Sequence, residues 1–148
     1  MRPGDQPLAG RRAGTAGPAR RLTGPGLVAG AVAGGLALVH AVDPYRPGSY
    51  PVCPSLALTG AYCPGCGTLR MLHSLTEGDL AGALAMNPLG LLLVPVLSAG
   101  WLWWTWRAVR GHRGTVPLSA AAAWVFLAVM AAYTVARNLP AGAWLAPG

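Results

Sequence analysis

Three cysteines, Cys53, Cys63 and Cys66, are the only ones in the chain, and they fall in one short stretch. The segment Cys63-Pro64-Gly65-Cys66-Gly67 spaces two thiols by two residues and follows them with a glycine. Thiolates at that spacing can reach one tetrahedral ion, and glycine lets the backbone turn tightly behind them. A full set needs two more ligands. Cys53 and His73 are the candidates, which would give a Cys₃His set suited to zinc. His73 also fits a plain interfacial residue with no ligand role. The same pair, Cys63 and Cys66, can be read as a redox centre, because Cys66 would stand just ahead of a helix whose macrodipole favours a thiolate. A disulfide from Cys53 to Cys63 or Cys66 is the third reading. No βαβ pattern is present to carry a thioredoxin-like site, so a structural role, by metal or disulfide, is expected ahead of catalysis.

These residues need a scaffold. Asp43-Pro44-Tyr45-Arg46-Pro47-Gly48 is too rich in turn formers for regular structure. After the cysteines, the apolar spacing of Leu69, Met71, Leu72 and Leu75 predicts a short amphipathic helix over 68–77. Gly78 should end it in a left-handed cap. Asp79 should cap a second short helix running through Met86. Asn87-Pro88 reads as the start of a long helix, with Asn87 as N-cap and Pro88 in the first turn. Arg70, four residues past Cys66, could pair with Glu77 or Asp79, hold a thiolate or reach lipid headgroups.

The rest of the chain is apolar. Among 148 residues, 53% are hydrophobic and only 10% are charged. A water-facing domain carries about a quarter charged residues, so this chain cannot cover such a surface. Three runs without Asp, Glu, Lys or Arg stand out at 22–42, 88–106 and 118–135. Each approaches the roughly 20 residues that a helix needs to cross a bilayer, where backbone groups must be satisfied internally. The expected fold is therefore an all-α integral membrane protein. Three transmembrane helices would carry a cysteine-containing extracytoplasmic loop, residues 43–87, with short surface helices. Gly26, Gly30 and Gly34 lie on one face of the first span, where close helix packing with a membrane-protein partner or a second copy could occur. Pro95 should kink the second span, and Trp101, Trp103, Trp104 and Trp106 form an aromatic belt at its end.

The net charge is +7, and all eleven basic residues are arginine. They form no stripe interleaved with aromatics, so a nucleic-acid partner is not expected. They gather instead at span ends. Arg2, Arg11, Arg12, Arg20 and Arg21 precede the first span, and Arg107, Arg110 and Arg113 follow the second. The positive-inside rule then makes the 1–21 tail and the 107–117 loop cytoplasmic. The 43–87 loop and the 136–148 tail, with Arg137, fall outside. The 1–21 tail should be disordered. An alternative reading makes the tail, apolar run and Val39-His40-Ala41 a cleaved secretory signal, though the tail is long for one.

The combination Cys53-Pro54, Cys63-Pro64-Gly65-Cys66-Gly67, Thr68, Arg70, Gly78-Asp79 and Asn87-Pro88 resembles a family of short bacterial membrane proteins. That family is catalogued only as a domain of unknown function, number twenty-seven fifty-two. In many relatives Thr directly precedes Arg, whereas here Leu69 intervenes. The resemblance covers about residues 50–95 and implies membrane residence without implying an activity. No Ser-His-Asp set, Walker loop or HExxH is present, and the four acidic residues all lie outside the spans, so ion transport is poorly supplied. An assembly or interaction component of the membrane is expected, with an extracytoplasmic thiol oxidoreductase as the alternative.

Overall fold

The computed structural model describes residues 18–112 and 119–147. Residues 1–17, most of the basic tail, lie outside these, as do Arg113 and the expected start of the third span at Leu118. Among the described residues the only regular structure is helical, with no strand. The helices are α1 (Pro18–Ala41), α2 (Pro54–Thr59), α3 (Thr68–Thr76), α4 (Leu80–Met86), α5 (Pro88–Val109) and α6 (Ala120–Asn138), followed by a 3-10 turn at Pro140–Leu145. Segments Arg20–Ala41, Pro88–Val109 and Ala120–Arg137 are each long and apolar enough to cross a membrane. The helix α1 starts at Pro18, inside the stretch read as a disordered tail. The α2 helix and the 3-10 turn had no signal in the apolar pattern, because both are too short to show a period.

Local rules account for the joints. Gly78 takes φ +77°, and the amides of Gly78 and Asp79 donate to the carbonyls of Leu75 (3.2 Å) and Ser74 (2.8 Å). That pair of bonds is a Schellman closure of α3. Asp79 caps α4 by accepting from the Gly82 amide at 2.8 Å. Asn87 caps α5 through the Gly90 amide at 2.9 Å, with Pro88 in the first turn.

The α1 helix packs antiparallel on α5. Near its start Trp101 Nε1 donates to the Pro25 carbonyl at 3.2 Å, and a Cβ on Gly24 would lie 3.2 Å from the Trp104 ring. At its other end α1 meets α3, where the His73 ring donates to the Val39 carbonyl at 2.9 Å. His40 stands 2.9 Å from a Glu77 oxygen. Around Gly26, Gly30 and Gly34 an added Cβ would meet nothing within 4 Å, so that face stays open among the described residues.

The arrangement is inside out relative to a water-soluble bundle. Large apolar side chains along the spans, among them Leu92, Leu97, Trp124, Val125 and Phe126, are exposed, as a lipid-facing surface requires. The largest fully buried side chains are Arg137, Met71 and Asn87. Two of the three are polar, and both sit at the head of the molecule beneath the cysteine loop.

Candidate metal and thiol centre

Cys53 ends the irregular stretch and precedes Pro54, which opens α2. Gly60, in the left-handed region at φ +71°, stops α2 and returns the chain toward the head. The next residues are pinned by Asn138 at the end of α6. The Tyr62 amide donates to the Asn138 side-chain oxygen, and Asn138 Nδ2 donates back to the Tyr62 carbonyl, both at 2.9 Å. Cys63-Pro64-Gly65-Cys66 then closes a turn through the Cys66 amide and the Cys63 carbonyl at 3.1 Å. Gly67 follows at φ +83°, and a Cβ there would collide with the Met86 carbonyl oxygen. This is the tight approach that the glycine permits.

The result is a sulfur triad. Cys63 Sγ lies 3.3 Å from Cys53 Sγ and 3.3 Å from Cys66 Sγ. All three sulfurs fall within 4.8 Å of one another. Thiolates around one zinc at a Zn–S distance of about 2.3 Å would stand roughly 3.8 Å apart, so the cluster fits a thiolate-bound ion with little movement. The three sulfurs are soft donors, which suits zinc or another thiophilic ion. Cys53 and Cys63 are half-buried and Cys66 is buried.

The three thiols differ electrostatically. The Leu56 amide in the first turn of α2, aided by the neighbouring Cys63 and Cys66 thiols, lowers the Cys53 thiol to about 7. Burial, reinforced by the two other thiols, pushes Cys66 up to about 12. This corrects the expectation that a helix start would favour the Cys66 thiolate. Desolvation of the buried sulfur outweighs the helix-end field, and Cys53 takes the activated position instead.

The structure does not bring His73 to the cysteines. Its Nδ1 is engaged by the Val39 carbonyl, and its Nε2 stands 3.8 Å from Asp43. Among the described residues no fourth His, Cys, Asp or Glu joins the sulfur group. Arg70 is also elsewhere. Its guanidinium lies 5.3 Å over the Tyr45 ring, and Nε donates to the Pro44 carbonyl at 3.4 Å.

Two buried polar side chains clasp the loop from below. Asn87 Nδ2 donates to the Pro64 carbonyl (3.1 Å), the Cys66 carbonyl (3.4 Å) and Thr68 Oγ1 (3.0 Å). Arg137, only 1% exposed, donates through Nη1 to the Cys63 carbonyl at 2.9 Å. Both of its terminal nitrogens reach the Cys66 carbonyl, at 3.2 and 3.3 Å. The rings of Tyr133 and Tyr62 flank it at 5.0 and 5.8 Å.

Sequence reading anticipated the helix-capping role of Asn87, but not its grip on the loop. In the sequence Arg137 reads only as an outer-tail charge. The available signal was its place at the end of an apolar span, where an ionisable residue marks a site by default.

Residues 53–101 match the family model described as protein of unknown function (DUF2752). That range holds the three cysteines, α2 to α4 and the first part of α5. No curated protein and no solved structure matches the chain.

Proposed function

We propose that this is a multi-pass membrane component whose extracytoplasmic loop is fastened by a metal–thiolate centre of Cys53, Cys63 and Cys66. The observation that carries the reading is the convergence of three sulfurs within 4.8 Å of one another, on a loop clamped by two buried polar side chains. Zinc is the ion favoured by this donor type in an oxidising compartment, being free of redox chemistry. It would supply a rigid crosslink between the α2 start and the turn before α3. The fourth position would fall to water or to an outside ligand, which suits an assembly or interaction surface.

The orientation rests on the arginines. Arg20 and Arg21 stand at one end of α1, and Arg107 and Arg110 at the neighbouring end of α5, opposite the cysteine loop. By the positive-inside rule that end would lie in the cytoplasm. The contacts of α1 with α3 and α5 support its retention as a span rather than its removal as a signal. A groove of about 340 Å³ between α3, α5 and α6, lined by Met71, Leu93, Leu97 and Met130, is apolar enough to take lipid chains. The open glycine face of α1 is available to a partner helix or a second copy.

A second reading has its own support in the central position of Cys63, equidistant from the other two sulfurs. The Cys53 thiolate would attack a substrate disulfide, releasing one substrate thiolate and forming a mixed disulfide. Cys63 would then attack the Cys53 sulfur, releasing the second substrate thiol and leaving a Cys53–Cys63 disulfide. Metal analysis of detergent-purified, reduced protein separates the two. About one equivalent of zinc, lost in a Cys63→Ser variant, supports the first reading. Metal-free protein that on reoxidation forms a Cys53–Cys63 disulfide exchanging readily with a dithiol supports the second and sinks the first.

A further inference from the structure

Arg137 poses an electrostatic problem that its hydrogen bonds do not solve. The guanidinium is fully desolvated, and a buried cation without a counter-charge carries a large penalty. Its hydrogen-bond partners are neutral carbonyls and its ring neighbours are two tyrosines. Among the described residues no carboxylate pairs with it, and its Nε is buried without a partner. The residues whose carbonyls it holds, Cys63 and Cys66, are themselves two of the three thiol bearers. Neutral thiols would leave the positive charge uncompensated. Three thiolates around a divalent ion carry one net negative charge, which is the charge one guanidinium balances.

We infer that Arg137 is the built-in counter-cation of a divalent metal–thiolate centre at Cys53, Cys63 and Cys66. This rests on the metal reading given above and goes beyond it by assigning the residue that sets the charge of the site. Loading the reduced cluster replaces thiol protons with an ion and leaves the centre anionic. A fixed cation nearby stabilises the loaded state relative to the empty one. With the guanidinium bonded to the carbonyls of two of the ligand residues and an effective dielectric near 20, removing it should weaken divalent binding on the order of ten- to fifty-fold.

The test compares Co(II) and arsenite on the full-length, detergent-purified, reduced protein. Cobalt reports through its thiolate charge-transfer absorption and, by competition, gives the zinc affinity. Arsenite condenses with three thiols, releasing three waters, to give a neutral As(III)–trithiolate, so its affinity should ignore the charge at position 137. In Arg137→Gln, cobalt affinity should fall on the order of ten- to fifty-fold while arsenite affinity stays within about twofold. Arg137→Lys should recover most of the cobalt affinity. Arg137→Met removes the buried charge without burying a new polar side chain, though the Cys63 and Cys66 carbonyls lose their Arg137 donors, and serves as the neutral variant if Gln fails to fold. Equal losses of cobalt and arsenite in the neutral variants would mean that Arg137 only holds the loop in shape, and would overturn the inference. Equal cobalt affinity in Arg137→Gln and Arg137→Lys would overturn it as well. A wild-type protein that gives no cobalt–thiolate absorption would instead remove the metal centre itself, and the counter-cation with it.

Discussion

The Tyr133 hydroxyl donates to the Asn87 side-chain oxygen at 3.1 Å, joining the middle of α6 to the first residue before α5. The same oxygen accepts the Gly90 amide that caps α5. The amide nitrogen of that side chain serves two carbonyls and the Thr68 hydroxyl in the cysteine loop. One buried side chain thus ties two spans and the loop together.

That division of labour makes a mutational test sharp. Asp is as good an N-cap as Asn, so a residue that only capped α5 would tolerate Asn87→Asp. Here the substitution removes the donor to the Pro64 carbonyl and to Thr68 and sets a carboxylate against them, while the Cys66 carbonyl keeps its Arg137 donors. A loss of about 2–4 kcal/mol is expected, no smaller than for Asn87→Ala. Asp79→Asn, at an exposed cap of α4, should stay within about 0.5 kcal/mol. Thermal unfolding in detergent micelles reads all three.

A pair of glycines separates backbone conformation from close approach. Gly67 and Gly78 share nearly the same left-handed φ, +83° and +77°. A Cβ on Gly78 would meet nothing within 4 Å, whereas one on Gly67 would strike the Met86 carbonyl and press on Pro147. Gly78→Ala should cost about 1 kcal/mol, the left-handed penalty alone. Gly67→Ala should cost clearly more and loosen the cysteine loop, seen as faster proteolysis or thiol labelling of the variant.

The contrast between those two positions shows what was legible beforehand. Caps, turns and spans obey local rules, so Gly78, Asp79, Asn87 and Pro88 could be placed from their neighbours in sequence. The spans were legible because lipid imposes length and apolarity on any crossing helix. The floor of the site was not legible. Arg137 reaches Cys63 across 74 positions of sequence, and no periodicity encodes that contact. His73 failed as a ligand candidate for the same reason in reverse: the chain path takes it to α1, against the Val39 carbonyl, away from the sulfurs. The expected ordering of thiol acidity also depended on burial, which spacing alone does not report.

That ordering can be measured on reduced, metal-free protein. The Cys53 thiol is lowered to about 7, so its thiolate fraction should climb as pH rises through that value. Cys66 is pushed up to about 12 by burial and should stay protonated through pH 9. Iodoacetamide alkylation followed by peptide mass spectrometry should therefore modify Cys53 first, with its rate levelling above about pH 8. Cys66 should react slowest throughout. Fastest labelling at Cys66 would show that the sulfur is neither buried nor desolvated as described.

The proposed metal centre has a distinct ligand set. Cys63 is the sulfur nearest both others, so Cys63→Ser should abolish stoichiometric binding, and Cys53→Ser or Cys66→Ser should reduce it strongly. His73→Ala should leave zinc affinity within about twofold, since a side chain outside the first coordination sphere has little direct hold on the ion. It should still lower thermal stability by roughly 1 kcal/mol, because the Val39 carbonyl loses its donor at the α1–α3 contact. Zinc should raise the unfolding temperature of the wild type and of His73→Ala by similar amounts, as binding to the folded state alone requires. A His73→Ala protein that folds but no longer gains stability from zinc would place the histidine among the ligands and require the loop to rearrange on metal binding.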